Sequence, residues 1–390
     1  MRDIAFLHAD VFSATCSSQR VLVGRRLALL GWPLEQRDMS DRSREKNSGF
    51  RTNLLFWFCG EKWQNFRIQD QIMTSTQTPE AGLKAILLAY DFSETSRKPL
   101  HHAIAIARHF QAKLYIAYVV SSIGYEIAGM EASQLAYEGS VRDAHRLEAE
   151  LLKSGALAGL QYELLIRGGN VWEQLELSIR QKRIEAVIVG THARAGIGRL
   201  VLGSVAEQIF RQADCLVLTV GPGSREDSLI EKKETVPLFL FATDFGHASL
   251  CAVPYAASFA NHFGAKLVVL HVLPAAPVPE TFHWSTTGDL TEMRREAQLA
   301  AQKQFQQLII PNVPAATKLE FKVTFGIPAE QVLQACHTLK VDLLILGLHS
   351  VRHAEALSHI PWLSAHEIVC GASCPVLTMK DGTGLSRNSS

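Results

Sequence analysis

The chain has 390 residues, a length that fits two to three domains. Hydrophobic residues at 47% and charged residues at 20% match ordinary globular usage, which excludes a long disordered or fibrous chain. With 39 Lys and Arg against 38 Asp and Glu, a net charge of +1 leaves no electrostatic footprint for nucleic acid or an anionic membrane. The seven cysteines are scattered, without the paired CxxC spacing of a structural zinc site. No secretory leader and no apolar run near 18 residues is present in this sequence, so it reads as cytoplasmic and reduced.

Residues 1–72 differ from the rest of the chain. They hold three of the six tryptophans, and nine Arg plus two Lys against eight acidic residues make them net +3. Their apolar clumps, such as Val21 to Leu30, are not succeeded by a sustained helical or alternating period. Residues 1–80 are therefore expected to be a disordered N-terminal extension or a mis-assigned start, with the working chain beginning near Met73.

From residue 83 strand and helix signals alternate. LKAILLAYD (83–91) is a continuous apolar run of the kind a strand buried on both faces shows. A helix is predicted over 95–110, a strand over 113–120, a helix over 131–154 and a strand over 161–169. A helix near 171–182, a strand at 185–190, a helix near 204–213 and a strand at 215–220 complete the series. Such alternation implies a parallel sheet, because parallel neighbours need a crossover between them. Residues 223–235 read as a polar linker, and the series then restarts.

The second series repeats the first in order. YDFSE at 90–94 recurs as TDFGH at 243–247, and HFQAKL at 109–114 as HFGAKL at 262–267, each 153 residues on. EAVIVGTH at 185–192 recurs as DLLILGLH at 342–349, 157 on, and CLVLT at 215–219 as CPVLT at 374–378, 159 on. The chain is a tandem duplication. The expected fold class is α/β: two tandem doubly wound, Rossmann-like domains, 82–222 and 236–381, each a five-stranded parallel sheet with about four helices.

In such sheets ligands bind beyond the carboxyl ends of the strands, where the strand order reverses. Those ends carry Asp91, Val119 and Gly190. After Gly190 the chain reads GTHARAGIGRLVLGSVAEQI, and its glycines let the backbone turn and approach a ligand closely. Gly203-Ser204 then opens a helix whose free N–H groups favour a phosphate, with Ser204 expected to cap that helix and donate its hydroxyl. The plain alternative for Asp91 is a cap on the turn that FSETS begins.

With these residues in view, the sequence closely resembles the universal stress protein family over about 82–222 and 236–380. Nucleotide-binding members carry Gly, two residues, Gly, nine residues, Gly, then Ser or Thr. This chain has Gly190, Thr191-His192, Ala193, nine residues, then Gly203-Ser204, so Ala193 adds one methyl where members have glycine. The resemblance implies that Asp91 recognises the adenine amino group, with the Val119 backbone beside the base. It also implies that Gly190, His192, Gly203, Ser204 and Val205 lie along ribose and phosphates, the ligand being ATP, with or without Mg, or a related adenine nucleotide. Family members commonly pair through their last strands. The two repeats are accordingly expected to form a pseudo-dimer within one chain, with a homodimer and an unidentified protein partner left open.

The second repeat departs further. The 159-residue offset puts Trp362-Leu363 where the first repeat has Gly203-Ser204, so phosphate binding there is expected to be absent or much weaker. His349, His353, His359 and His366 crowd this region, but no acidic or Cys partner has metal-ligand spacing, and a solvated loop is the plainer reading. Cys370 and Cys374 read as small buried packing residues. The chain has no GxSxG elbow, no GK[ST] P-loop and no HExxH, so no catalytic apparatus is visible and at most a slow ATP hydrolysis is expected.

Overall fold

A computed structural model describes residues 82–121, 129–191, 202–225, 235–275, 288–349 and 362–381. The N-terminal stretch 1–81, most of the linker, His192 with Ala193 and the glycine loop, and residues 350–361 lie outside the described residues.

The first repeat runs β1 (Ala85–Ala89), α1 (Arg97–Phe110), β2 (Lys113–Ser121), α2 (Gly129–Lys153), β3 (Tyr162–Gly169), α3 (Val171–Gln181), β4 (Ala186–Gly190), α4 (Ser204–Gln212) and β5 (Leu216–Val220). The second runs β6 (Leu238–Thr243), α5 (His247–His262), β7 (Lys266–Leu273), α6 (Gly288–Gln304), β8 (Lys318–Phe325), α7 (Pro328–Thr338), β9 (Leu343–Leu348), α8 (Trp362–Gly371) and β10 (Val376–Lys380). These match the predicted order. The helix expected from 95 starts at Arg97, because Glu94–Ser96 close a 3-10 turn first.

Local sequence explains the ends. In α1, Leu100, Ala103, Ile104 and Ala107 recur at helical spacing and are all buried, while Pro99 sits in the first turn, where its missing N–H costs nothing. The helix stops at Gln111, which takes a left-handed conformation with φ 54°. In α3 the side chain of Asn170 accepts a hydrogen bond from Glu173 N at 3.3 Å and caps the helix.

The strands form one ten-stranded sheet in the order β3-β2-β1-β4-β5-β10-β9-β6-β7-β8. Within each repeat the neighbours are parallel, and each half has the order 3-2-1-4-5, with the reversal between its first and fourth strands. Ile86, Leu87 and Leu88 of β1 are all fully buried. Successive side chains point to opposite faces, so both faces must be covered by helices. Leu87 joins a core with Leu175 of α3, Phe210 of α4, Val332 of α7 and Ile368 of α8. Leu100 and Ile104 of α1 cover the other face with Ile86 and Leu88. Each such fully buried side chain contributes roughly 1.5–3 kcal/mol.

The two halves join where β5 and β10 pair antiparallel, Leu218 opposite Leu377. Thr219 Oγ1 donates to Val376 O, and Thr378 Oγ1 to Val217 O, each at 3.3 Å. Lys380 of β10 donates Nζ to Arg211 O at 2.7 Å and Ala213 O at 2.9 Å, closing the last turn of α4 from the other repeat. On the opposite face the duplicated HF dipeptides meet reciprocally. His109 stacks on Phe263 with ring centroids 4.3 Å apart, and Phe110 stacks on His262 at 4.4 Å. Burial, and then the neighbouring His262, push the His109 pKa down. No helix among the described residues is long and apolar enough to cross a membrane.

Candidate functional site

At the carboxyl ends of β1, β2 and β4, where the strand order reverses, lies a cavity of about 830 Å³. Its walls include Tyr90 and Asp91 after β1, Tyr118 to Ser121 of β2, Gly190 of β4, and Gly203, Ser204 and Val205 at the start of α4. Six of the seven residues singled out from sequence are thus brought into one lining: Asp91, Val119, Gly190, Gly203, Ser204 and Val205. The seventh, His192, lies outside the described residues.

Asp91 comes just after the edge of β1 and is held by its own loop. Its Oδ1 accepts from Ser93 N at 3.0 Å, from Ser93 Oγ at 2.6 Å and from the Ser96 hydroxyl. This is the turn-capping arrangement the FSETS segment is suited to, and it also fixes the carboxylate at the cavity wall. The next residue, Phe92, has φ 60°, and its counterpart Phe245 has φ 57°. A left-handed conformation in a bulky residue costs roughly 1–2 kcal/mol, and such strain gathers where a loop is shaped for a ligand. The Phe92 ring stands edge-on to Tyr90 at 5.1 Å and to Tyr118 at 4.6 Å, so an aromatic wall adjoins the carboxylate. Burial raises the Tyr90 pKa, leaving its hydroxyl protonated as a hydrogen-bond donor.

The start of α4 corrects one expectation. Ser204 does not cap the helix: the cap position is Gly203, with φ −63° and ψ 154°, and Ser204 is the first helical residue. Glycine has no side-chain oxygen, and among the described residues no side chain makes a cap hydrogen bond there. Gly203, Ser204 and Val205 line the cavity, so the first turn of α4 meets it without the side-chain cap that Asn170 supplies to α3, the condition in which a helix start attracts an anion. Glu207, one turn on, also lines the cavity; its Oε1 accepts from Arg211 Nε at 2.5 Å.

Sequence reasoning missed Ser96, Ser140, Glu207 and His366 in the lining. The hydroxyl of Ser96 was signalled by its place in FSETS. His366 had no local signal, because it belongs to α8 of the other repeat.

In the second repeat, Asp244 keeps the same turn, its Oδ1 accepting from Gly246 N at 2.8 Å and Ser249 Oγ at 2.7 Å. Where the first repeat has Tyr118, His271 stands 4.5 Å from the Phe245 ring, with Nδ1 2.8 Å from Thr243 O. Burial lowers the His271 pKa, so a neutral ring fills this position. Trp362 begins α8. Of the clustered histidines, His349 pairs with Asp381 at 3.0 Å and His366 approaches Glu207, while His353 and His359 lie outside the described residues. Cys370 and Cys374 are buried.

The family model that matches this chain is the universal stress protein family, over residues 82–221 and 238–380. A universal stress protein of Methanocaldococcus jannaschii is 28% identical over 144 residues, covering 37% of this chain and 85% of its own length. One from Thermus aquaticus is 29% identical over 139 residues, 35% of this chain and 98% of its own. Among solved structures, a universal stress protein from Archaeoglobus fulgidus aligns over 76% of this chain and 98% of its own, with TM-score 0.52 and 17% identity. A functionally unknown protein from Pseudomonas aeruginosa aligns over 78% and 95%, with TM-score 0.52 and 15% identity. Matches at that identity speak for the fold. With both repeats matched in full, the chain belongs to the universal stress protein family as a tandem member.

Proposed function

We propose that the first repeat binds an adenine nucleotide, ATP in the first instance, and that occupancy has a regulatory output in the cytoplasm. The observation that carries this is the single lining shared by Asp91, Val119, Gly190 and the side-chain-free start of α4, at the reversal of strand order. A carboxylate acceptor suits an amino group at one end, and the first-turn N–H groups of a helix suit phosphate at the other. No group of three His, Cys, Asp or Glu side chains that suits a metal occurs among the described residues. Magnesium that accompanies the nucleotide would be held mainly by its phosphates and by water. The antiparallel β5–β10 seam supports reading the chain as its own pseudo-dimer.

A second reading is a nucleotide-independent scaffold, favoured by the three hydrogen bonds Asp91 already takes from its own loop. Isothermal titration of the full chain with ATP and magnesium separates the two. Binding that Asp91→Ala weakens and Gly203→Trp abolishes supports the first. No heat at millimolar ATP, or an affinity indifferent to Gly203→Trp, rejects it. Product release by the unaltered chain, lost on Ser204→Ala, would add slow hydrolysis.

A further inference from the structure

The cavity of the first repeat is not built from the first repeat alone. His366 of α8 lines it, with Nε2 3.1 Å from Glu207 Oε2 of α4. Positions 207 and 366 are counterparts, since the offset here is the same 159 residues that relates Cys215 to Cys374. The two helices share one continuous core through Ile209, Phe210, Ile368 and Val369, so corresponding positions meet across the seam. Two identical chains meeting this way would place Glu against Glu. Here the duplication has diverged into an acid facing a base.

That carboxylate stands one turn from the N–H groups at Gly203 and Ser204. An uncompensated negative charge there would repel a polyphosphate and compete with it for the positive end of the helix. Two basic side chains from different repeats face it. Arg211 Nε donates to Oε1 at 2.5 Å, and His366 Nε2 comes within 3.1 Å of Oε2, a buried oxygen with no hydrogen-bond partner among the described residues. Cys370 Sγ, 3.8 Å from His366 Nδ1, backs the ring on its own helix. We infer that His366 is a positioning and charge-balancing residue through which the second repeat sets the affinity of the first for the phosphate chain of its ligand. The second repeat thereby has a role in nucleotide selection whether or not it binds a ligand itself. The inference rests on the nucleotide reading of the cavity.

The test uses the full chain and compares ATP with adenosine by titration calorimetry. His366→Ala should weaken ATP about threefold to tenfold, the range for a partly exposed charge pair, and leave adenosine unchanged. His366→Lys, which sets a permanent cation opposite Glu207, should retain ATP affinity. Adding Glu207→Gln to His366→Ala should restore ATP to within about twofold, because the unbalanced charge is then gone. A packing role predicts no such rescue. Parallel loss of ATP and adenosine, an unchanged ATP affinity in His366→Ala, or no recovery in the double variant overturns the inference while leaving the site standing. An unaltered chain that binds neither ligand overturns the reading of the cavity and this inference with it.

Discussion

Gly190 and Gly347 are counterparts at the ends of β4 and β9, 157 residues apart, yet the same substitution should affect them very differently. A Cβ at 347 would lie 2.3 Å from Ala248 O, 2.6 Å from Ser249 Cα and 2.7 Å from Ala248 C, all backbone of the first turn of α5. Ordinary contact begins near 3.5 Å, so the whole helix would have to lift by about 1 Å from a close-packed face. At 190 the nearest atom is Pro99 Cγ at 3.0 Å, the far edge of a ring whose pucker can yield, with Thr95 O next at 3.6 Å. Neither glycine holds a positive φ, so the difference is steric and not conformational. Overpacking against backbone costs roughly 3 kcal/mol, which lowers Tm by about 6–12 °C for a domain of this size. Gly190→Ala should cost about 1 kcal/mol or less, about 2–4 °C. Thermal unfolding of the two single variants, monitored by circular dichroism, reads this directly. Gly347→Ala melting within about 2 °C of the unaltered chain, or Gly190→Ala proving the more damaging, would refute the reasoning.

The seam and the second repeat give three further outcomes. Because the folded-state pKa of His109 is pushed below 6.5, the neutral ring stabilises fully above that pH, and this is lost as pH falls through the folded value. His109→Phe keeps the stack on Phe263 but cannot titrate, so its Tm should fall less than that of the unaltered chain between about pH 7.5 and 5; equal falls would exclude the role. His349 has the opposite sign: the Asp381 hydrogen bond raises its pKa above 6.5, so its contribution is complete below that pH and lost as pH rises through the raised value. Asp381→Asn should therefore destabilise more at about pH 6 than at pH 8, as urea midpoints would show, and a uniform loss would argue against it. Lys380→Met removes the donor to Arg211 O and Ala213 O and should cost about 1–3 kcal/mol in urea unfolding; a cost under about 0.5 kcal/mol would mean that water replaces the ammonium freely.

The strands and helices of both repeats were legible in the sequence because their signals are local. β1 is an apolar run since both its faces are covered, and α1 shows its buried stripe at helical spacing. Duplication made the reading firmer, as a weak signal found twice in register is hard to produce by chance. The residues that line the cavity were legible for a related reason. Asp91, Val119 and Gly190 sit at strand ends, and a doubly wound sheet brings those ends to one edge whatever the details of packing. The cap of α4 was misread by one residue, because Gly203 and Ser204 are both good cap residues and only the backbone angles choose between them.

What tertiary structure decided is everything that crosses the seam. The charge count of residues 73–390, two acidic residues in excess, says nothing of Glu207 meeting His366 or of Lys380 closing a helix of the other repeat. Nor does the recurrence of HF at 109 and 262 reveal that the two copies stack on each other. These contacts depend on which edge of one sheet pairs with which edge of the other, and in which direction. Length, composition and period determined two α/β repeats and a candidate site in one of them. The antiparallel pairing of β5 with β10 decided that the second repeat completes the first, because a strand edge carries its hydrogen-bonding groups without encoding the partner that will meet them.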